Sequence, residues 1–126
     1  MSRCQDRFWQ LRLKNCMESL EKNNFEVFIA KDSEEAKQIF CENILPDLEV
    51  TSASWADSMT LHQTGILDEI KKNQTISLIE TFAKDVPREE LLERRRKALL
   101  VDLFFTGTNA VTEAGQLVNL DMVGNR

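Results

Sequence analysis

Residues 87–109 read PREELLERRRKALLVDLFFTGTN, and their two successive periodicities set the fold class. Pro87 suits a helix start, where the N–H it lacks would have no intrahelical partner anyway. Glu89 and Glu90 follow at the positive end of the helix dipole, and Arg94 to Lys97 fall at its negative end. Leu91, Leu92, Ala98 and Leu99 supply the expected buried face. The pattern then changes to Val101 to Phe105, a nearly continuous apolar run. Such a run predicts a strand covered on both faces, as in a parallel sheet. Thr106-Gly107-Thr108-Asn109 follows as a polar loop.

The same alternation extends toward the N-terminus. Trp9, Leu13, Cys16, Met17 and Leu20 form one stripe of an amphipathic helix over roughly Arg3 to Lys22. Phe25, Val27 and Ile29 alternate as in a strand. Asp32, with Glu35 three residues on, predicts the cap of a second helix carrying Ala36, Ile39, Phe40 and Ile44, which Pro46 ends. Leu48 to Ser54 reads as a weaker strand. Ser58 would cap a helix bearing Leu61, Ile66, Leu67 and Ile70, with Gly65 weakening its middle, and Thr75 to Ile79 is a short strand. Beyond the polar loop, Ala110 to Asp121 predicts a hairpin turning at Glu113 to Gln116, with Gly115 left-handed and Val111 near Val118. Helices alternating with strands predict a three-layer α/β/α fold around a mostly parallel, Rossmann-like sheet. Ligands of such sheets bind beyond the carboxyl ends of the strands, which points to Ser54 to Ser58 and Thr106 to Asn109.

Length and composition narrow the function classes. The chain has 126 residues, 42% of them apolar and 29% charged, which suits a single domain. Its net charge of −5 disfavours nucleic acid and anionic membrane surfaces, both of which need a basic face. No apolar run approaches the roughly 18 residues of a membrane span, and no apolar leader opens the chain, so a cytoplasmic location is expected. Cys4, Cys16 and Cys41 are widely spaced, form no Cys-x-x-Cys pair and lie far in sequence from the one histidine, His62. The expectation is reduced, mostly packed thiols, with no metal and no cofactor held by this chain.

The remaining motifs favour structural roles. Arg94 to Lys97 follows Glu90 and Glu93 at a spacing of four, which predicts ion pairs on a solvated helix face. Asn73-Gln74-Thr75 has the spacing of a glycosylation acceptor, idle in a cytosolic chain. His62 has no partner identifiable by spacing, and Ser58 lacks a Gly-x-Ser-x-Gly elbow, so a surface histidine and a helix cap are expected. For Thr106-Gly107-Thr108-Asn109, a loop holding a phosphate or carboxylate and a plain strand terminus stand level. Gly124-Asn125-Arg126 would suit a helix start aimed at an anion, but no helix follows.

Three blocks resemble the LUD-domain, or lactate-utilisation protein C, family. Ser58-Met59-Thr60-Leu61 with Gly65 is similar to its Gly-Gly-Ser-Met-Thr-Leu segment, and Glu93 to Leu99 to its Arg-Arg-Lys-Ala-Leu helix. Thr106 to Ala110, then Glu113, Gly115, Asn119, Asp121 and Gly124-Asn125-Arg126, follow its Thr-Gly-Thr-Asn-Ala-Ile-Thr-Glu-x-Gly signature. The resemblance begins near Ser19. It implies a fold similar to ribose-phosphate isomerases and CoA transferases. It also implies a part in oxidising L-lactate to pyruvate, beside partner subunits that carry iron–sulfur clusters.

The sequence departs from the family at Ala56-Asp57, where a glycine pair is usual, at His62-Gln63, where acids are usual, and at Met122, which replaces a glycine. Added Cβ atoms and the Asp57 charge oppose an anion there. Family domains also continue past Gly-Asn-Arg with a helix and strands, so the chain is expected to be truncated at its C-terminus. Its sheet edge would then invite pairing or aggregation, a homo-oligomer included. The favoured expectation is an accessory or non-catalytic lactate-utilisation subunit. The first rival is an enzyme or binding domain for a small phosphorylated or carboxylate ligand. Its ligand-facing residues would be Ser58, Thr60, Gly107, Thr108, Asn109, Asn125 and Arg126, with Glu113 as a weak acid–base candidate. An inactive truncated product is the third.

Overall fold

The computed structural model describes residues 3–126. The chain packs as two compact units, Met1–Ala30 with Thr108–Gly124, and Lys31–Gly107 with Asn125–Arg126. Together they give a mixed α/β protein with a three-stranded parallel sheet and a separate two-stranded hairpin.

The larger unit begins at α2, Ser33–Ile39. Its cap is the one expected: Asp32 Oδ1 accepts from Glu35 N at 2.9 Å, and Glu35 Oε2 reaches back to Lys31 N at 2.6 Å. A π-helical turn, Phe40–Ile44, and a 3₁₀ turn, Leu45–Asp47, follow, and Pro46 within the latter has no N–H to extend a helix. Strand β1 is Ser52–Trp55, β2 is Ser77–Ile79 and β3 is Leu103–Phe105. They run parallel in the order β2-β1-β3, with Ala53 opposite Leu78 on one side and Leu103 on the other. The expected third helix divides at Gly65, whose φ of +73° ends α3, Met59–Thr64, and opens α4, Ile66–Lys72. Helix α5 spans Arg88–Lys97 after Pro87, and a 3₁₀ turn, Ala98–Leu100, joins it to β3.

Alternation along the strands sends Ala53, Trp55, Leu78, Leu103 and Phe105 to one face. They pack with Phe40, Leu61, Leu67, Ile70 and Ile76 in one core, where the Phe40 and Phe105 rings meet edge to face at 5.4 Å. Ser54 is fully buried on the opposite face and donates to Ile79 O at 2.7 Å. Phe104 stays 39% exposed, so the expectation of complete cover on both faces fails at β3. The expected buried face of α5 also needs correction: Ala98 is buried, whereas Leu92 is exposed and Leu99 is 84% exposed. Leu99 lies in the 3₁₀ turn, which breaks the 3.6-residue phase that grouped it with Leu92. Glu90 pairs with Arg94 at 2.6 Å as the spacing requires, but Glu93 pairs with Arg96 rather than Lys97.

The amino end of this sheet is fastened by Asp102. Its Oδ2 accepts from both the N–H and the hydroxyl of Thr51 and of Ser52, at 2.8–2.9 Å. These bonds, led by the Thr51 N–H, hold the carboxyl down at about 2.

In the smaller unit, α1 covers Arg3–Lys22, the span its stripe predicts. Strands β4, Ala110–Val111, and β5, Leu117–Val118, form the hairpin. The register sets Val111 against Leu117 and Ala110 against Val118, one residue off the expected Val111–Val118 pair. Gly115 is left-handed at φ +78°, and a Cβ there would stand 2.8 Å from the Ser19 carbonyl carbon and 2.9 Å from Leu20 N. Asn23 Nδ2 donates to Gly115 O at 3.0 Å, and Arg12 pairs with Glu113. Phe25 to Ala30 joins neither sheet, which overturns the strand expected there. Alternation supplies a pattern, but a strand also needs a neighbour to close its ladder.

Gly115→Ala is expected to destabilise the fold by about 3 kcal/mol, from backbone conformation plus the clash with α1. Gly124, also left-handed at φ +68° but with nothing within 4 Å of its built Cβ, is the control. Gly124→Ala should cost only about 1 kcal/mol by thermal or urea melting. Asp102 makes the fold pH-sensitive with a fixed sign. Its folded pKa lies below the ordinary 3.8, so its stabilisation is full above that value and is lost as pH falls toward about 2. Asp102→Asn should lower the melting temperature at pH 7 and flatten its fall between pH 4 and pH 2.

Candidate functional site

The carboxyl ends of β1 and β3 meet in the larger unit. Ala56 N donates to Phe105 O at 2.8 Å, extending the β1–β3 pairing by one bond, and Ala56 is fully buried. The methyl group that replaces a family glycine is thus packed rather than facing solvent. Asp57 turns outward, exposed, and Ser58 turns back in. Ser58 is 7% exposed, extended at φ −152°, and its Oγ accepts from Leu61 N at 3.5 Å as the α3 cap.

Gly107 closes on this serine. A Cβ built on Gly107 would fall 2.5 Å from Ser58 Oγ and 3.2 Å from Ser58 Cβ, so an added side chain would have to displace the serine hydroxyl. Thr81 is buried and donates to Trp55 O at 3.4 Å, tying the segment after β2 to the end of β1. Arg126 Nη2 donates to Asp57 O at 3.1 Å, while Asn125 is half-buried and Thr60 is exposed on the first turn of α3. His62 Nε2 lies 3.6 Å from Asp57 Oδ1, with both side chains more than half exposed. This partner was missed from sequence, although the signal was present: Asp57 precedes the cap and His62 is the fourth helical residue, positions that meet across a helix start.

Thr108, Asn109 and Glu113 belong to the smaller unit. Thr108 Oγ1 lies 2.8 Å from Asn119 Oδ1 and 3.2 Å from Val118 O. Asn109 N donates to Val118 O at 3.2 Å, and Asn109 Oδ1 accepts from Leu120 N at 2.9 Å. Thr108 and Asn109 of the Thr-Gly-Thr-Asn loop therefore help to close the hairpin, while the Thr106 hydroxyl donates to Gly107 O at 3.2 Å. Glu113 is held by Arg12, whose guanidinium also lies 5.0 Å from the centre of the Trp9 ring. Met122, the second departure from a glycine, is fully exposed.

Among the described residues, no group of three or more His, Cys, Asp or Glu is placed to hold a metal ion. Cys4 is exposed and Cys16 and Cys41 are half-buried, all three as free thiols. Burial first, and then Glu69, pushes the Cys41 thiol up. No helix among the described residues is long and apolar enough to cross a membrane.

The model of the LUD domain matches residues 13–126. The chain belongs to the LUD-domain family. Neither the curated proteins nor the solved structures contain a match to it. In this LUD domain the family's serine and glycine segments form one closed contact, Ser58 on Gly107.

That contact makes a coupled prediction. Gly107→Ala should destabilise by about 2 kcal/mol through overpacking, and Ser58→Ala by about 1 kcal/mol through loss of the cap. The double variant should be more stable than the sum of the two, because removing Oγ relieves the clash, and chemical denaturation of all four proteins would measure this.

Proposed function

We propose that this LUD domain serves L-lactate utilisation, the oxidation of lactate to pyruvate, as an accessory subunit that does not itself carry the chemistry. The family match over residues 13–126 carries the assignment to lactate utilisation. The accessory role is favoured by how the family's polar residues are used. Ser58 Oγ caps α3 against Gly107, the Arg126 guanidinium donates to Asp57 O, and Glu113 pairs with Arg12. The Asp57 carboxylate at the same turn would repel a phosphate or carboxylate ligand. The redox chemistry would fall to partner subunits carrying iron–sulfur clusters, with this chain acting through its surface.

The rival, a domain for a small phosphorylated or carboxylate ligand, draws on Arg126 beside the carboxyl end of β1, where ligands of open parallel sheets bind. A complementation experiment separates the two. Cells lacking the protein should grow poorly on L-lactate and normally on pyruvate. Wild type, Glu113→Gln and Thr60→Ala should all restore growth on lactate. Normal growth of the deletion strain on lactate would remove the pathway role. Loss of rescue by a variant that folds and accumulates normally would favour the rival.

A further inference from the structure

Apolar burial is divided unevenly between the two units. Among the described residues, all ten buried apolar ones lie in the larger unit, from Phe40 to Phe105. The smaller unit has none, yet it carries thirteen of the nineteen large apolar residues that stay exposed. Apolar groups left in water do nothing to offset the entropy cost of ordering the chain, so this unit lacks the burial that a stable fold requires. Helix α1 shows where cover is missing. Its stripe is half-buried at Cys16, Met17 and Leu20, then runs on uncovered to Leu13, 46% exposed, and Trp9, 51% exposed.

We propose that a second copy of this chain supplies the cover, its α1 packing antiparallel on the uncovered stripe of the first. Charge favours this occupant. The smaller unit carries five basic and six acidic residues, against eleven and fifteen in the larger. Two copies meeting through their smaller units therefore join surfaces that are almost neutral, whereas the larger units would oppose net −4 to net −4. Charge also sets the direction. Residues 3–14 of α1 hold four bases and one acid, and residues 15–22 hold two acids and one base. Antiparallel helices place the basic half of each copy beside the acidic half of the other, while parallel helices place like beside like. Trp9 and Leu13 of each copy are then buried against the partner helix. Interfaces this rich in apolar groups are the kind that homodimers use, resembling a domain core cut in two. The same surface serves on both copies, so the contact is isologous and closes at two.

The test is the mass of the full chain across a concentration series, by sedimentation or light scattering. Wild type should pass from monomer to dimer. Trp9→Glu and Leu13→Glu, both at exposed positions, should each weaken the dimer roughly tenfold or more with the far-ultraviolet circular dichroism unchanged. Leu99→Glu puts the same charge on an 84% exposed leucine of the larger unit and should leave the dimer unaltered. Direction is read from a spin label on Cys4, exposed near the start of α1, with Cys16 and Cys41 replaced by serine. Antiparallel helices should hold the two labels about 20–30 Å apart. The proposal would be overturned by a chain that stays monomeric at every concentration, or by a dimer indifferent to both α1 variants. A dimer weakened as much by Leu99→Glu as by them, or labels closer than about 15 Å, would overturn it equally.

Discussion

Everything in the larger unit depends on β1 holding the middle of the sheet. Ser52–Trp55 pairs in parallel with a strand on each side, and Ala53, Ser54 and Trp55 are all buried. A central strand with both edges paired leaves no ladder group to water, so its ends are where the chain can be adjusted. At the amino end, Asp102 gathers the N–H and hydroxyl groups of Thr51 and Ser52 on one carboxylate oxygen. At the carboxyl end, Ala56 extends the pairing and Ser58 turns into α3 against Gly107. The family's serine is thus positioned by sheet register and helix capping together.

What could be read from the sequence follows the range of each physical signal. Caps and helix starts act within four residues, and Asp32, Ser58 and Pro87 all stand where they were expected. The Gly115 turn is equally local, since a positive φ in a tight hairpin demands glycine. Pairing and burial are not local. Phe25–Ala30 has strand alternation but no neighbour in either sheet, and Leu99 has the right letter in a turn that faces solvent. The split at Gly65 lay between these limits: the glycine was visible, and its left-handed conformation was not.

The site divides in the same way. Family resemblance singled out Ser58, Thr60, Gly107, Thr108, Asn109, Asn125 and Arg126, while physical reading of the Thr-Gly-Thr-Asn loop left ligand binding and strand termination level. Thr108 and Asn109 make hydrogen bonds within the hairpin, and a Cβ on Gly107 would meet the Ser58 hydroxyl at 2.5 Å. No rule of spacing reports that contact, since 49 positions separate the two residues, from 58 to 107. The Asp57–His62 pair, by contrast, could have been found from its spacing.

The proposed accessory role requires that the turn where Ser58 meets Gly107 take up no small ligand. Isothermal titration of the purified chain with L-lactate, pyruvate, a sugar phosphate and a CoA ester tests this most directly. The accessory role predicts no saturable heat with any of the four. One-to-one binding of any of them that is lost in Arg126→Ala, with the fold intact, would contradict it.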